Sequence, residues 1–140
     1  MRRQRPNPSK RQPRRGAAAV EFAIVAPVLF LLIMTMFEFS RLQVIRHTGD
    51  NAAYEAARRA MVPGATAGDA VAEANRIMRT IGARGVQVNV TPNRIDADTR
   101  SVTVEVQTRM DQNALVAPRF TRGATLRSSS TLLTERIRTR

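Results

Sequence analysis

The arrangement of apolar and polar positions changes character several times along this 140-residue chain. Met1 to Gly16 is polar. From Ala17 to Phe37 apolar residues follow one another almost without a break, and only Glu21 carries a charge. At ~1.5 Å per residue, a helix over that run spans about 31 Å, which matches the ~30 Å hydrocarbon core of a bilayer. The run is too long for a strand and has no polar stripe, so neither a strand nor a soluble amphipathic helix fits it. Pro27 removes one helical hydrogen bond and frees the carbonyl of Ala23, an interruption that membrane helices tolerate. The pattern predicts a transmembrane helix over 17–37.

Beyond Phe37 the period becomes helical. Leu42, Ile45, Gly49, Ala52, Ala53, Ala56 and Ala60 recur at spacings of three and four, a narrow stripe of small residues suited to close packing. The first helix is expected to continue over 38–62 and to stop at Val62-Pro63-Gly64. Thr66-Ala67-Gly68-Asp69 then reads as an N-cap with an acid in the first turn. Ala70, Ala74, Ile77 and Ile81, widened by Val71 and Met78, form the stripe of a second helix that ends at Gly82. Next the period falls to two. Val86, Val88 and Val90 alternate with polar residues, as do Val102, Val104 and Val106, which gives two half-buried strands. Pro92 to Arg100 reads as a wide hairpin loop and Met110 to Arg122 as a connecting loop. A third strand over about Ala124 to Thr134 has poorer alternation, because Ser128-Ser129-Ser130 is polar. The fold class expected is α+β: a long N-terminal transmembrane helix running on outside the membrane, a second helix, and a small antiparallel sheet of two or three strands. The domain organisation expected is a basic leader over 1–16, a membrane helix over 17–37, its external continuation over 38–62, and a small αβ domain over 63–140.

Charge orients this scheme. Seven of the 23 basic residues precede position 17, with no acid among them, and the net charge is +12. An excess of Arg and Lys marks the cytoplasmic side of a membrane helix. The N-terminus is therefore expected in the cytoplasm and the C-terminal domain outside, in a single-pass protein of the cell membrane. The leader, with its three prolines, reads as disordered. No small-x-small site follows the apolar run, which argues against a removed signal peptide. Arg14-Arg15 within an Arg-rich leader is weak evidence for a twin-arginine signal.

Composition narrows the chemistry. With no Cys and one His, neither a disulfide framework nor a zinc or iron centre is expected, and no cofactor is expected. His47 sits on a surface helix just past the membrane. No nucleophile elbow, Walker loop or Gly-rich phosphate cradle is present, so an enzyme is not expected. Asp96 and Asp98 lack the spacing of a calcium loop and read as a turn. Specific nucleic-acid binding is not expected either, because the Arg-rich leader has no stacking motif beside it and suits topology and anionic lipid better.

Gly16 followed by Ala-Ala-Ala-Val-Glu-Phe resembles the site cut by prepilin peptidases in type IV pilin-like proteins. In that family a basic leader ends in Gly and the fifth mature residue is Glu. The likeness implies cleavage between Gly16 and Ala17, with Glu21 as the fifth residue; the usual methylated Phe at the first position is replaced by Ala17. The longer stretch from Gly16 to Ala60 resembles the TadE-like family of the tight-adherence pilus system. Its matching features are Gly16, Glu21-Phe22-Ala23, Pro27, Glu38-Phe39 with Arg41, Asn51, Ala52, Ala53 and Ala56-Ala57-Arg58. The resemblance implies processing by a prepilin peptidase and assembly with other pilin-like subunits and pilus machinery, as a homo- or hetero-oligomer formed through the N-terminal helix. Major subunits of such filaments are typically much shorter, so the extra domain points to a minor or accessory role.

Two readings of Glu21 remain open from the residues. It either pairs with the new α-amine of a neighbouring subunit after cleavage, or it snorkels to the headgroups and favours the helix N-terminus through the macrodipole. Glu38 and Arg41, three apart on one helical face, read on energetic grounds as a solvated pair, since such a pair contributes only ~0.2–0.5 kcal/mol. The resemblance adds a role in orienting the helix or touching a partner. The alternative to a processed pilin-like subunit is an uncleaved single-pass anchor with a small structural or adhesive external domain.

Overall fold

The computed structural model of the chain describes residues 15–96, 98–115 and 123–133. Helix α1 (Arg15–Ala60) is followed by α2 (Ala67–Thr80), strand β1 (Val86–Thr91), strand β2 (Ser101–Arg109), a 3-10 turn over Met110–Gln112 and strand β3 (Thr125–Leu133). The sheet is antiparallel, in the order β1-β2-β3. This is the α+β arrangement expected, with three strands. The leader over 1–14, the loop residues 116–122 and the tail from Thr134 lie outside the described residues. The expected disorder of the leader falls there too, except at Arg15 and Gly16, which are already helical.

The described residues divide into two compact units, one ending at Met34 and the other beginning at Thr35. In the first, α1 carries Pro27 inside it, and its apolar side chains are exposed, among them Phe22, Val25, Leu29 and Leu32. Among the described residues one helix is long and apolar enough to cross a membrane, and its most apolar window has no buried residue.

The second unit is built around alanine. Ala52, Ala53, Ala56, Ala57 and Ala60 of α1 are fully or almost fully buried, as are Ala70 and Ala74 of α2. Opposite them the inner face of the sheet presents Val102, Val104 and Val106 from the central strand, all buried. The register sets these in rows: Val88 beside Val106 beside Ser128, and Val90 beside Val104 beside Ser130. The strand period of two thus turns every second residue of β2 into the core, while Thr103, Glu105 and Gln107 face outward. Ile45, Met78 and Met110 belong to the same buried cluster.

The third strand was the least legible, and the structure supplies the reason. A Cβ added at Gly49 would stand 2.9 Å from Oγ of Ser128 and 3.5 Å from its Cβ. The helix approaches β3 so closely that the inner face of that strand holds serine where apolar residues would otherwise alternate. Small residues on both sides make the contact, which is why hydrophobic alternation fails there although the strand forms.

The ends of α2 follow from local chemistry. Thr66 is the N-cap: the Asp69 N–H donates to its Oγ1 at 3.3 Å, and its own N–H donates to Oδ2 of Asp69 at 2.8 Å, a reciprocal capping box. At the other end Gly82 has φ +64, its N–H donates to Arg79 O, and the Ala83 N–H donates to Met78 O. That pair of bonds is a Schellman stop, which needs a residue that accepts positive φ. Substituting Thr66→Ala is expected to lower the stability of the external unit by about 1 kcal/mol. The backbone and hydroxyl of Thr66 hold the Asp69 carboxyl below its ordinary value, and the Arg76 guanidinium does the same for Glu73. Both contribute stability that is present above the unfolded carboxylate pKa and is lost as pH falls through the folded value. Thermal unfolding at a series of pH values below 5 would show this, with a shallower acid loss in Asp69→Asn.

The expected connecting loop after β2 is more ordered than its sequence suggests, as far as Leu115. Asn113 is buried, and its amide donates to the carbonyls of Arg84 and Arg109 at 2.7 and 2.6 Å while its Oδ1 accepts from the Arg84 N–H at 2.9 Å. One side chain thus ties the start of β1 to the end of β2.

Candidate functional site

The residues that carry the processing motif lie in the first turns of α1. Gly16 and Ala17 are the second and third residues of the helix as it is described, and no other group lies within 4 Å of a Cβ built on Gly16. Glycine is about 1 kcal/mol less favourable than alanine in a helix interior, so Gly16 weakens the helix locally. Glu21 lies four residues beyond Ala17, one turn along the same face, and is exposed. Phe22 beside it is 72% exposed. The helix N-terminus favours a carboxylate close to it. Its first turn contains no acid, so Glu21 is the acid that comes soonest after it.

Pro27 is exposed within the helix, as the apolar pattern places it. Glu38 and Arg41 belong to the second unit, and the structure gives them work that the sequence reading did not. The Arg41 guanidinium donates to the carbonyl of Ile81 at 2.8 Å, forty residues away and partly buried. Ile81 is the C-cap of α2, whose carbonyl is one of those a helix end leaves without an intrahelical donor. The carboxylate of Glu38 accepts the Leu115 N–H at 2.9 Å. Both side chains thus reach backbone groups of remote segments, which a solvated surface pair would not do. No sequence signal marked either contact; the only hint was Gly82, whose role as a helix stop places an orphan carbonyl just before it.

Among the described residues no group of three or more His, Cys, Asp or Glu side chains could hold a metal ion. His47 is exposed on α1.

A family model described as TadE-like protein matches residues 16–58. No curated protein matches the chain, and neither does any solved structure. The match starts at Gly16 and takes in Glu21, Phe22, Pro27, Glu38 and Arg41, so it covers the motif residues and the buried alanines up to Ala57, and leaves α2 and the sheet outside it. A family of this kind, with one helix apolar enough to cross a bilayer near the N-terminus, fits a membrane-anchored protein in a pilus-associated setting. Over residues 16–58, within its N-terminal helix, the chain is thus similar to the TadE-like family.

Proposed function

We propose that this chain is a pilin-like accessory subunit, cut between Gly16 and Ala17 by a prepilin peptidase and assembled with other pilin-like subunits of a tight-adherence pilus. The observation that carries the reading is the coincidence, in one short stretch of chain, of a basic leader ending in Gly16, a glutamate four residues beyond Ala17, and the first matched residue of the family. In this reading α1 anchors the unprocessed chain in the cytoplasmic membrane with the leader inside and the αβ unit outside. Cleavage converts Ala17 into a free α-amine, with a reference pKa of ~7.7–8.0 and so largely positive at neutral pH. Glu21 then has a cationic partner to meet on a neighbouring helix, which offsets the penalty of holding a carboxylate at the edge of the hydrocarbon. The chain performs no catalysis of its own; its work is anchoring and assembly, and through the pilus, surface attachment.

Intact-mass measurement of the membrane-extracted protein, from a host carrying the cognate peptidase, tests this. The expected product begins at Ala17, and Gly16→Ala keeps the full length. Glu21→Ala is expected to be inserted and cut normally but to be recovered at least tenfold less in filaments. A wild-type chain that retains Met1 in that host returns the protein to the class of uncleaved single-pass anchors.

A further inference from the structure

Among the described residues both outer strands of the sheet end in open edges. Among the described residues β1 and β3 each pair with β2 alone, and no backbone hydrogen bond fills the far side of either. Open edges of this kind are templates for pairing with another chain. They differ in character. Beside β1 runs a groove of about 660 Å³, lined on the helix side by Ala67, Gly68 and Val71 and on the strand side by Val90, with Asn93 and Glu105 at its polar wall. The small residues of the first turn of α2 leave room for one more strand. At the opposite edge β3 presents Leu126 and Leu132, each only half-buried on the inner face, and Leu133, 75% exposed. Its one charged residue is Arg127, exposed on the outer face. The groove at β1 holds one charge, the carboxylate of Glu105.

We propose that β3 of one copy of this chain adds to the β1 edge of a second copy, extending the sheet head to tail. The pairing is parallel, because β1 and β3 both run antiparallel to β2. With no stagger, the outer-face row of Asn89, Glu105 and Ser129 continues into Asn89 of the next copy, and Gln107 and Arg127 continue into its Gln87. Arg127 then lies within reach of the next copy's Glu105, while Ser128 and Ser130 stand beside its Val88 and Val90 and Leu132 reaches the groove next to Asn93. Arg127 already sits 3.6 Å from its own Glu105, so each cation would bridge two carboxylates along the row. Head-to-tail addition also leaves the α1 segments of successive copies running the same way. The ladder is short, six residues on the β1 side, and is expected to be weak in dilute solution and effective where the membrane concentrates the chains. The inference rests on the anchoring part of the proposed function and not on cleavage.

The absence of cysteine allows a clean test on the full chain in membranes. In Asn89→Cys/Ser129→Cys the two thiols of one chain are separated by β2, about 9.6 Å at the usual strand spacing, beyond the ~7 Å limit for a disulfide. Mild oxidation is expected to give a ladder of dimers, trimers and larger species on non-reducing gels, and neither single variant is expected to cross-link. Adding Arg127→Glu should reduce the ladder at least twofold, and the further change Glu105→Arg should restore it. Dimers from Ser129→Cys alone, or monomers only while the chain stays in the membrane fraction, overturn the proposal. So does a ladder indifferent to Arg127→Glu. Loss of the wild-type chain from the membrane fraction would instead sink the anchoring reading.

Discussion

Ala56→Asp is expected to unfold the external unit outright at ambient temperature. Ala56 is fully buried where α1 faces the sheet, among Val and Ala side chains that offer a carboxylate no donor. An unpaired charge buried in such a site costs about 3–5 kcal/mol, and the extra volume adds overpacking against a helix that already sits close to the strands. Single domains hold only ~5–15 kcal/mol in total, and one of this size lies at the low end. The same substitution at Tyr54, on the exposed side of the helix, should change stability by less than about 0.5 kcal/mol. Thermal unfolding followed by circular dichroism on the detergent-extracted chain would separate the two. A cooperative transition in Ala56→Asp close to that of the wild type would mean that α1 does not pack on the sheet as described.

Arg41→Ala is expected to be the next most damaging change, with a loss of about 1.5–3 kcal/mol. That is the usual range for a hydrogen bond from a charged donor. The bond to the Ile81 carbonyl ties the beginning of the second unit's helix segment to the far end of α2, so its loss frees two elements at once. Arg41→Lys should recover part of the effect, since an ammonium reaches with a single point of contact where the guanidinium offers several donors. Denaturant unfolding gives the magnitude. Hydrogen exchange adds a local readout: the N–H groups of Gly82 and Ala83, held by the Schellman bonds, should lose protection more than those of β2. A loss below 0.5 kcal/mol with unchanged protection at Gly82 would show that the contact is incidental.

How much of this was legible beforehand depended on how local the signal was. The apolar run, the capping box at Thr66 and the valine alternations are properties of neighbouring residues, and each gave its element to within a residue or two. The alanine stripe of α1 was visible by period as well, although Ala57 was missed as a member. What failed were contacts made across the fold. Ser128 reads as a polar interruption until Gly49 is placed against it. Asn113 reads as loop until the carbonyls of Arg84 and Arg109 converge on it. Glu38 and Arg41 read as partners for one another because sequence spacing shows what lies on one helix face and nothing of what that face meets. Gly16, Ala17 and Glu21 were different: they derive their meaning from a motif, and the family match over residues 16–58 takes in all three.

The alanine core also has a calorimetric consequence. A methyl group brings no rotamer entropy to be lost on folding, so each buried alanine of α1 is ordered at the expense of its backbone alone. It also withdraws little apolar area from water, and the heat capacity of unfolding scales with that area. A unit whose helix layer is mostly methyl groups should therefore unfold with a small heat-capacity change for its length. Its stability would then vary little with temperature over a wide range, falling away gently on either side of a broad, low maximum.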